Sequence, residues 1–202
     1  MMIAPFEGGR FRLTSPIGYR SIPSLSMYNT PHYGIDLVGI SSKTVLCVKA
    51  GTVIRSRIVT NKSDPTSEWG NYVCVQSPDG TMIYYCHLSS RAVSEGQKVN
   101  VGSVIGVEGA TGKVTGSHLH IEARIGSKKC GIPAREDDPA NISTIIGCDN
   151  KLGTYQADVD IGDIISSCGI MEKLWRPRMT EFCRKYEYGD EFWRRIAKKC
   201  RK

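Results

Sequence analysis

The 202-residue chain contains no run of 18 apolar residues, so no transmembrane helix is expected. It has no His-Glu-x-x-His, which excludes a zinc site carried on a single helix. Its eight cysteines include no Cys-x-x-Cys pair, which argues against a zinc finger. The opening residues, Met1 to Arg10, lack a basic segment followed by an apolar one, so no secretory signal peptide is legible. No internal repeat is present, and no long stretch before residue 140 carries helical periodicity. Histidine is scarce, with only four in the chain.

What is there is ordinary for a globular protein: 40% hydrophobic and 23% charged residues. The length suits one good core and a small appendage. The formal charge of +7 is unevenly placed. Residues 171–202 hold 11 Lys/Arg against 5 Asp/Glu, so the basicity belongs to the tail. Specific nucleic-acid binding is not expected. The even cysteine count would allow disulfides, but the length and the missing leader favour reduced thiols.

The four histidines all lie in patterned segments: His32-Tyr-Gly-Ile-Asp36, Tyr84-Tyr-Cys-His-Leu88 and His118-Leu-His120. Side chains alternate along a strand, so His118 and His120 share a face roughly 6–7 Å apart. His32 and Asp36 are four apart and face one way on an extended segment, with Gly34 removing a side chain that would crowd an ion. Two imidazoles and a carboxylate match a catalytic zinc shell with one position left open. Glu122 shares the parity of His118 and His120. It reads either as a residue that orients a histidine or as a plain strand residue. Cys86 precedes His87, and alternation predicts that the two face apart, which argues against a Cys–His nucleophile.

These motifs resemble one family. His32-x-x-x-Asp36, then Tyr85-Cys-His87-Leu88, then Gly112…Thr115-Gly-Ser-His118-Leu-His120-Ile-Glu122 are similar in order and approximate spacing to the lysostaphin/LytM-type zinc endopeptidases of peptidoglycan. The resemblance covers roughly residues 10–135. It implies one zinc ion held by His32, Asp36 and His120, with His87 and His118 as catalytic histidines that do not bind the metal. It also implies a mainly β, compact antiparallel two-sheet domain and a peptidoglycan peptide as substrate. Asn71 matches a family position near the substrate groove, or is a turn residue. Tyr28 lies where some members carry a tyrosine that assists the transition state.

Pro78-Asp-Gly80, between two β-rich runs, predicts a hairpin. The expected layout is a zinc endopeptidase domain over 1–140, a linker over 141–170 with one short helix near Ile142–Ile146, and a basic tail over 171–202. The tail pattern predicts helices near Met179–Tyr186 and Gly189–Cys200. They would either pack on the domain or hold it to an anionic wall or membrane surface. The protein is expected to be made in the cytoplasm and to reach the wall after lysis or release, as a phage-type lysin or part of a virion. Two other readings compete: an inactive binding or activating copy of the fold, and a cupin-type oxidase. All five site residues are present, which weighs against the first. The wrong spacing of a later glutamate and third histidine weighs against the second.

Overall fold

The computed structural model describes residues 2–126 and 131–157. The tail and its two expected helices lie outside them. Among the described residues no helix is long and apolar enough to cross a membrane.

The main sheet is antiparallel. Its strands run in the order Lys98–Val99, Gly51–Arg57, Tyr72–Gln76, Met82–Cys86, Leu119–Ile125, Ile35–Gly39, Arg10–Ser15 and Gly153–Gln156, and Ile132–Pro133 adds to the Leu119–Ile125 strand. A three-stranded sheet is built from Thr44–Leu46, Val104–Val107 and Ser90–Arg91, and a two-stranded hairpin from Gly18–Ile22 and Met27–His32. The architecture is the antiparallel β class expected, with the small hairpin as a third sheet. The predicted Pro78-Asp-Gly80 hairpin joins Tyr72–Gln76 to Met82–Cys86, and Gly80 supplies the left-handed turn residue at φ 84°.

Alternation along Leu119–Ile125 explains how the site is placed. Leu119, Ile121 and Ala123 enter the main core with Ile35, Leu37, Ile83 and Tyr85. His120, Glu122 and Arg124 point to the other face. There a smaller cluster of Tyr72, Cys74, Met82, Tyr84 and Cys86 covers the sheet, with Ile54, Val59 and Trp69 against it. With both faces covered, all five residues of Met82–Cys86 are buried, which is why that strand reads as a continuous apolar run.

Two expectations are corrected. Residues 141–157 are not a linker. Ile142, Ile146, Cys148 and Ala157 belong to the main core, and Gly153–Gln156 pairs with Arg10–Ser15. The expected short helix is present as Ile142–Ile146, capped by the Asn141 side chain on the Thr144 N–H and ended by Gly147 at φ 81°. Beyond it, the Asn150 side chain accepts from the Ile17 N–H at 2.8 Å and donates to the Ile17 carbonyl at 3.0 Å. The amide thereby fixes the chain next to Pro16.

The second correction concerns His32 and Asp36, which do not share one extended segment. His32 ends Met27–His32, and Asp36 lies on Ile35–Gly39, in a different sheet. The chain turns between them because Gly34 passes under the strand of His120. A Cβ at Gly34 would lie 2.4 Å from the Ile121 carbonyl oxygen and 2.8 Å from both Glu122 Cβ and His120 Cε1. The glycine therefore makes room mainly for the neighbouring strand. Gly34→Ala should cost about 1–3 kcal/mol of stability through overpacking against backbone and should displace His120. Urea unfolding and zinc titration of the variant check this, and unchanged values for both would refute it.

Candidate active site

In the register, His120 stands opposite Asp36 on one neighbouring strand and opposite Cys86 on the other. Residues directly opposite in an antiparallel pair face the same way, so Asp36 meets His120. His32 reaches them from the end of its hairpin. His32 Nε2 lies 3.0 Å from His120 Nδ1 and 3.1 Å from Asp36 Oδ1, and His120 Nδ1 lies 2.9 Å from the same oxygen. All three residues are buried.

The opposite nitrogen of each imidazole is committed. His32 Nδ1 donates to the Pro16 carbonyl at 2.8 Å, which leaves the Nε2 lone pair facing inward. His120 Nε2 meets Glu122 Oε2 at 3.3 Å, and Glu122 pairs through Oε1 with Arg124 Nε. Arg124 in turn lies over the rings of Trp69 and Tyr84, 4.9 and 5.2 Å from their centres. Glu122 thus lies on the face its parity suggested, in contact with His120 Nε2. Asp36 uses its second oxygen to accept from Arg20, which also donates to Ser15 Oγ at 2.8 Å.

Two neutral imidazole lone pairs and a carboxylate oxygen facing one another at 3 Å need a cation or a proton between them. The pKa values express this. Burial disfavours charge on His120, yet its hydrogen bonds to Asp36 and Glu122 outweigh that and raise it to about 9. Burial likewise opposes the Asp36 carboxylate, but hydrogen bonding with His120 and His32 holds it well below the usual range. Burial lowers His32, with Asp36 pulling the other way. For Glu122, burial is outweighed by His120 and Arg124, and its pKa falls. The donor spacing is within a few tenths of an ångström of the about 3.3 Å between ligands of a tetrahedral zinc with 2.0–2.1 Å bonds. The residues therefore fit zinc, and each histidine has the supporting partner such ligands usually have.

His87 and His118 flank this triad. Their ring centres are 4.8 Å apart, and His87 is 5.9 Å from His120. Each donates Nδ1–H to a backbone carbonyl, His87 to Thr111 and His118 to Gly116, both at 2.9 Å. Both Nε2 lone pairs remain free of those anchors, and His118 Nε2 is 3.6 Å from Asp36 Oδ1. Burial, followed by repulsion from the His120 and His118 imidazoles, lowers the His87 pKa to about 3. His87 is therefore neutral across the physiological range.

The alternation argument for Cys86 and His87 fails, although its conclusion survives. Cys86 is on the face of His120. His87 lies one residue beyond the strand in the left-handed region, φ 64°, and so turns its ring back to the same side. The Trp69 carbonyl accepts the His87 N–H at 2.8 Å and the Asn71 carbonyl accepts the Leu88 N–H at 3.0 Å, which holds this turn. Cys86 is no nucleophile for another reason: complete burial drives its pKa well above the thiol range. Among the described residues Cys47, Cys86 and Cys148 are free thiols.

Asn71 is beside that turn, with its side chain accepting from the Val59 N–H at 3.3 Å. Tyr28 is 67% exposed. Asn29 at φ 47° and a register shift in the hairpin break its alternation with His32. Among the described residues its hydroxyl makes no hydrogen bond to the histidines. Arg20 was not legible as a site residue, because nothing in its spacing connects it to Asp36. Arg124 could have been found, since it shares the parity of His120 and Glu122.

Comparison with known proteins now decides the family. The profile of Peptidase family M23 matches residues 30–131, a span that holds all three candidate ligands and both flanking histidines. The chain belongs to peptidase family M23. It is 33% identical over 135 residues, 64% of its length and 30% of the relative's, to the peptidoglycan DD-endopeptidase ShyA of Vibrio cholerae. Among solved structures it superposes on the catalytic domain of the prophage-encoded M23 protein EnpA of Enterococcus faecalis, a point mutant of that domain. The TM-score is 0.53 at 27% identity, covering 67% of this chain and 95% of that one. It also superposes on a zinc-containing peptidase of Vibrio cholerae, with TM-score 0.51, 28% identity, 61% of this chain and 36% of that one. The chain spans about a quarter to a third of the curated relatives' lengths. These likenesses agree with the mainly β fold and the peptidase character read from the motifs.

Proposed function

We propose that the protein is a zinc-dependent endopeptidase that hydrolyses peptide cross-links or stem peptides of bacterial peptidoglycan. The observation that carries this is the convergence of His32 Nε2, Asp36 Oδ1 and His120 Nδ1 within 3.1 Å of one another, flanked by two histidines whose Nδ1 atoms are tied to carbonyls. The likeness to a zinc-containing peptidase supports the choice of metal. The DD-endopeptidase relative favours the cross-link as the bond cut.

Zinc held by these three residues supplies a Lewis acid that polarises the scissile carbonyl and acidifies water. The chain's own residues do the rest. Arg20 and Glu122 keep the Asp36 carboxylate and the His120 ring in place. His87 and His118 take the proton from the attacking water, and the Nε2–H so formed donates to the developing oxyanion before the proton passes to the leaving amine. His87, held neutral, offers a lone pair for the first of these. A phage-type lysin acting at the wall after lysis or release is part of the proposal, supported by the prophage source of EnpA.

The test is mass spectrometry of fragments from defined peptidoglycans. Cross-linked dimers should be converted to monomers, the conversion should stop with a chelator, and zinc should restore it. Undigested cross-links and stems together would overturn the proposal. Whole sacculi in the same experiment probe the basic tail. A chain ending near residue 165 should bind them more weakly at low salt, with the gap closing as salt screens charge. Equal binding at low salt would remove the tail from the proposal.

A further inference from the structure

Glu108 is a carboxylate that the catalytic proposal leaves unused. Its side chain has no exposed surface, an uncommon state for an acidic residue unless it is fully paired. It accepts three hydrogen bonds: from the Gly39 N–H at 2.8 Å, from Lys43 Nζ at 2.8 Å and from Ser117 Oγ at 2.9 Å. Gly39 ends the strand that carries Asp36. Ser117 directly precedes His118. Glu108 and Ser117 stand at the two ends of the loop 109–117, which is also closed by the His118 N–H donating to the Gly109 carbonyl at 3.0 Å.

That loop carries the anchors of both accessory histidines. The Thr111 carbonyl accepts from His87 Nδ1, and the Gly116 carbonyl accepts from His118 Nδ1. The loop is also stitched to its surroundings by Thr111 Oγ1, which donates to the Leu88 carbonyl at 3.0 Å, and by the Lys113 N–H, which donates to the Glu68 carbonyl at 3.0 Å. These bonds hold its first half. Among the described residues, the side-chain bond that ties the second half to the sheet is the one from Ser117 to Glu108.

We propose that Glu108, through Ser117, is a positioning residue that clasps the loop 109–117 and so aims the Nε2 atoms of His87 and His118 at the reacting centre. The proposal rests on the catalytic role assigned above to those two histidines. The clasp is asymmetric. Lys43 and Gly39 fix Glu108 to the sheet irrespective of Ser117, so removing the serine hydroxyl frees the loop without leaving the buried carboxylate unpaired. His118 is the nearer histidine and depends on the clasp more directly. Small displacements of a catalytic group have large kinetic consequences, because the gain from orientation is lost within about an ångström.

The experiment compares Ser117→Ala, Ser117→Thr and His118→Ala in the zinc-loaded, full-length protein, on a soluble cross-linked muropeptide. Ser117 is exposed, so its substitution should not unfold the chain. Ser117→Ala should lower kcat about tenfold, with KM and zinc content unchanged. Ser117→Thr keeps a hydroxyl and should recover most of kcat. In the Glu108→Gln background, adding Ser117→Ala should cost less than it does alone, since the two act as one unit. Wild-type kcat in Ser117→Ala would overturn the proposal, as would a loss that Ser117→Thr does not recover or that zinc loss accounts for. If His118→Ala kept full turnover, the catalytic reading itself would fail and this inference with it. An inactive His118→Ala beside a fully active Ser117→Ala would sink the clasp alone. Should Glu108→Gln fail to fold, the alanine and threonine pair still decides.

Discussion

His120→Ala should purify with little or no zinc and no measurable peptidase activity, where the wild type should carry about one zinc per chain. The expectation follows from the ligand set. Zinc needs three protein donors here, and the substitution leaves His32 Nε2 and Asp36 Oδ1 alone, a pair too weak to hold the ion against a chelating buffer. Glu122→Gln should behave differently. It keeps all three donors and removes only the partner of His120 Nε2, so zinc affinity should drop by about 10–100-fold without vanishing. The protonation state adds a second readout. In the metal-free protein His120 carries a proton up to about pH 9. At pH 7.5 zinc must therefore expel that proton, and affinity should weaken as the pH falls and strengthen toward pH 9. Titration calorimetry in two buffers of different ionisation enthalpy should report about one proton released per zinc in the wild type. Full zinc occupancy in His120→Ala, with the fold intact by circular dichroism, would reassign the ligands.

The parts of this site that were legible from the sequence are the parts that depend on local geometry. His120 and Glu122 follow the alternation of the strand Leu119–Ile125, and His118, bridged to Gly109 just before that strand, keeps the same parity. The Pro78-Asp-Gly80 turn and the helix Ile142–Ile146 are set by turn and cap chemistry within a few residues. What could not be read depends on where a strand stops, and that is decided by distant hydrogen bonds. His87 turns toward the site because the Trp69 and Asn71 carbonyls take the amides of His87 and Leu88. His32 and Asp36 meet across a turn whose tightness is imposed by the strand of His120 passing over Gly34. Arg20 and Asn150 are further cases. Each acts on the site through a single long-range contact, and neither has a spacing that would betray it. Residues 141–157 read as a linker because they follow Pro133 and Glu136-Asp-Asp-Pro139 and carry Asp149-Asn150, while their few apolar residues are enough to fill the edge of the core.

Substituting His87 or His118 should leave zinc in place and lower turnover by about 10²–10⁴-fold. Both rings face the metal triad, yet neither is needed to complete it, and their Nδ1 atoms are already spent on carbonyls. The choice of replacement matters at His87. Its backbone is left-handed, at φ 64°, where alanine is strained by about 1 kcal/mol and asparagine is tolerated. His87→Asn therefore isolates the loss of the imidazole from the loss of the turn. At His118, which ends no such turn, alanine suffices. If the two rings serve one proton path, the double variant should be hardly slower than the worse single one, as for residues that act as a unit. Independent roles would instead multiply the two losses. The pH dependence separates the histidines from general damage. His87 is depressed to about 3 from an ordinary 6.5, so below pH 6.5 the unfolded chain takes up a proton that the native chain refuses. Native stability should therefore fall on acidification, by at most about 1.4 kcal/mol per pH unit between 6.5 and 3. His87→Asn should flatten that slope in the metal-free protein, and urea unfolding at pH 7 and pH 5 measures it. A slope unchanged by the substitution would show that His87 is not held neutral. Loss of zinc from folded His87→Asn or His118→Ala would mean that one of these rings is a ligand, and the division between metal-binding and proton-transferring histidines would have to be redrawn.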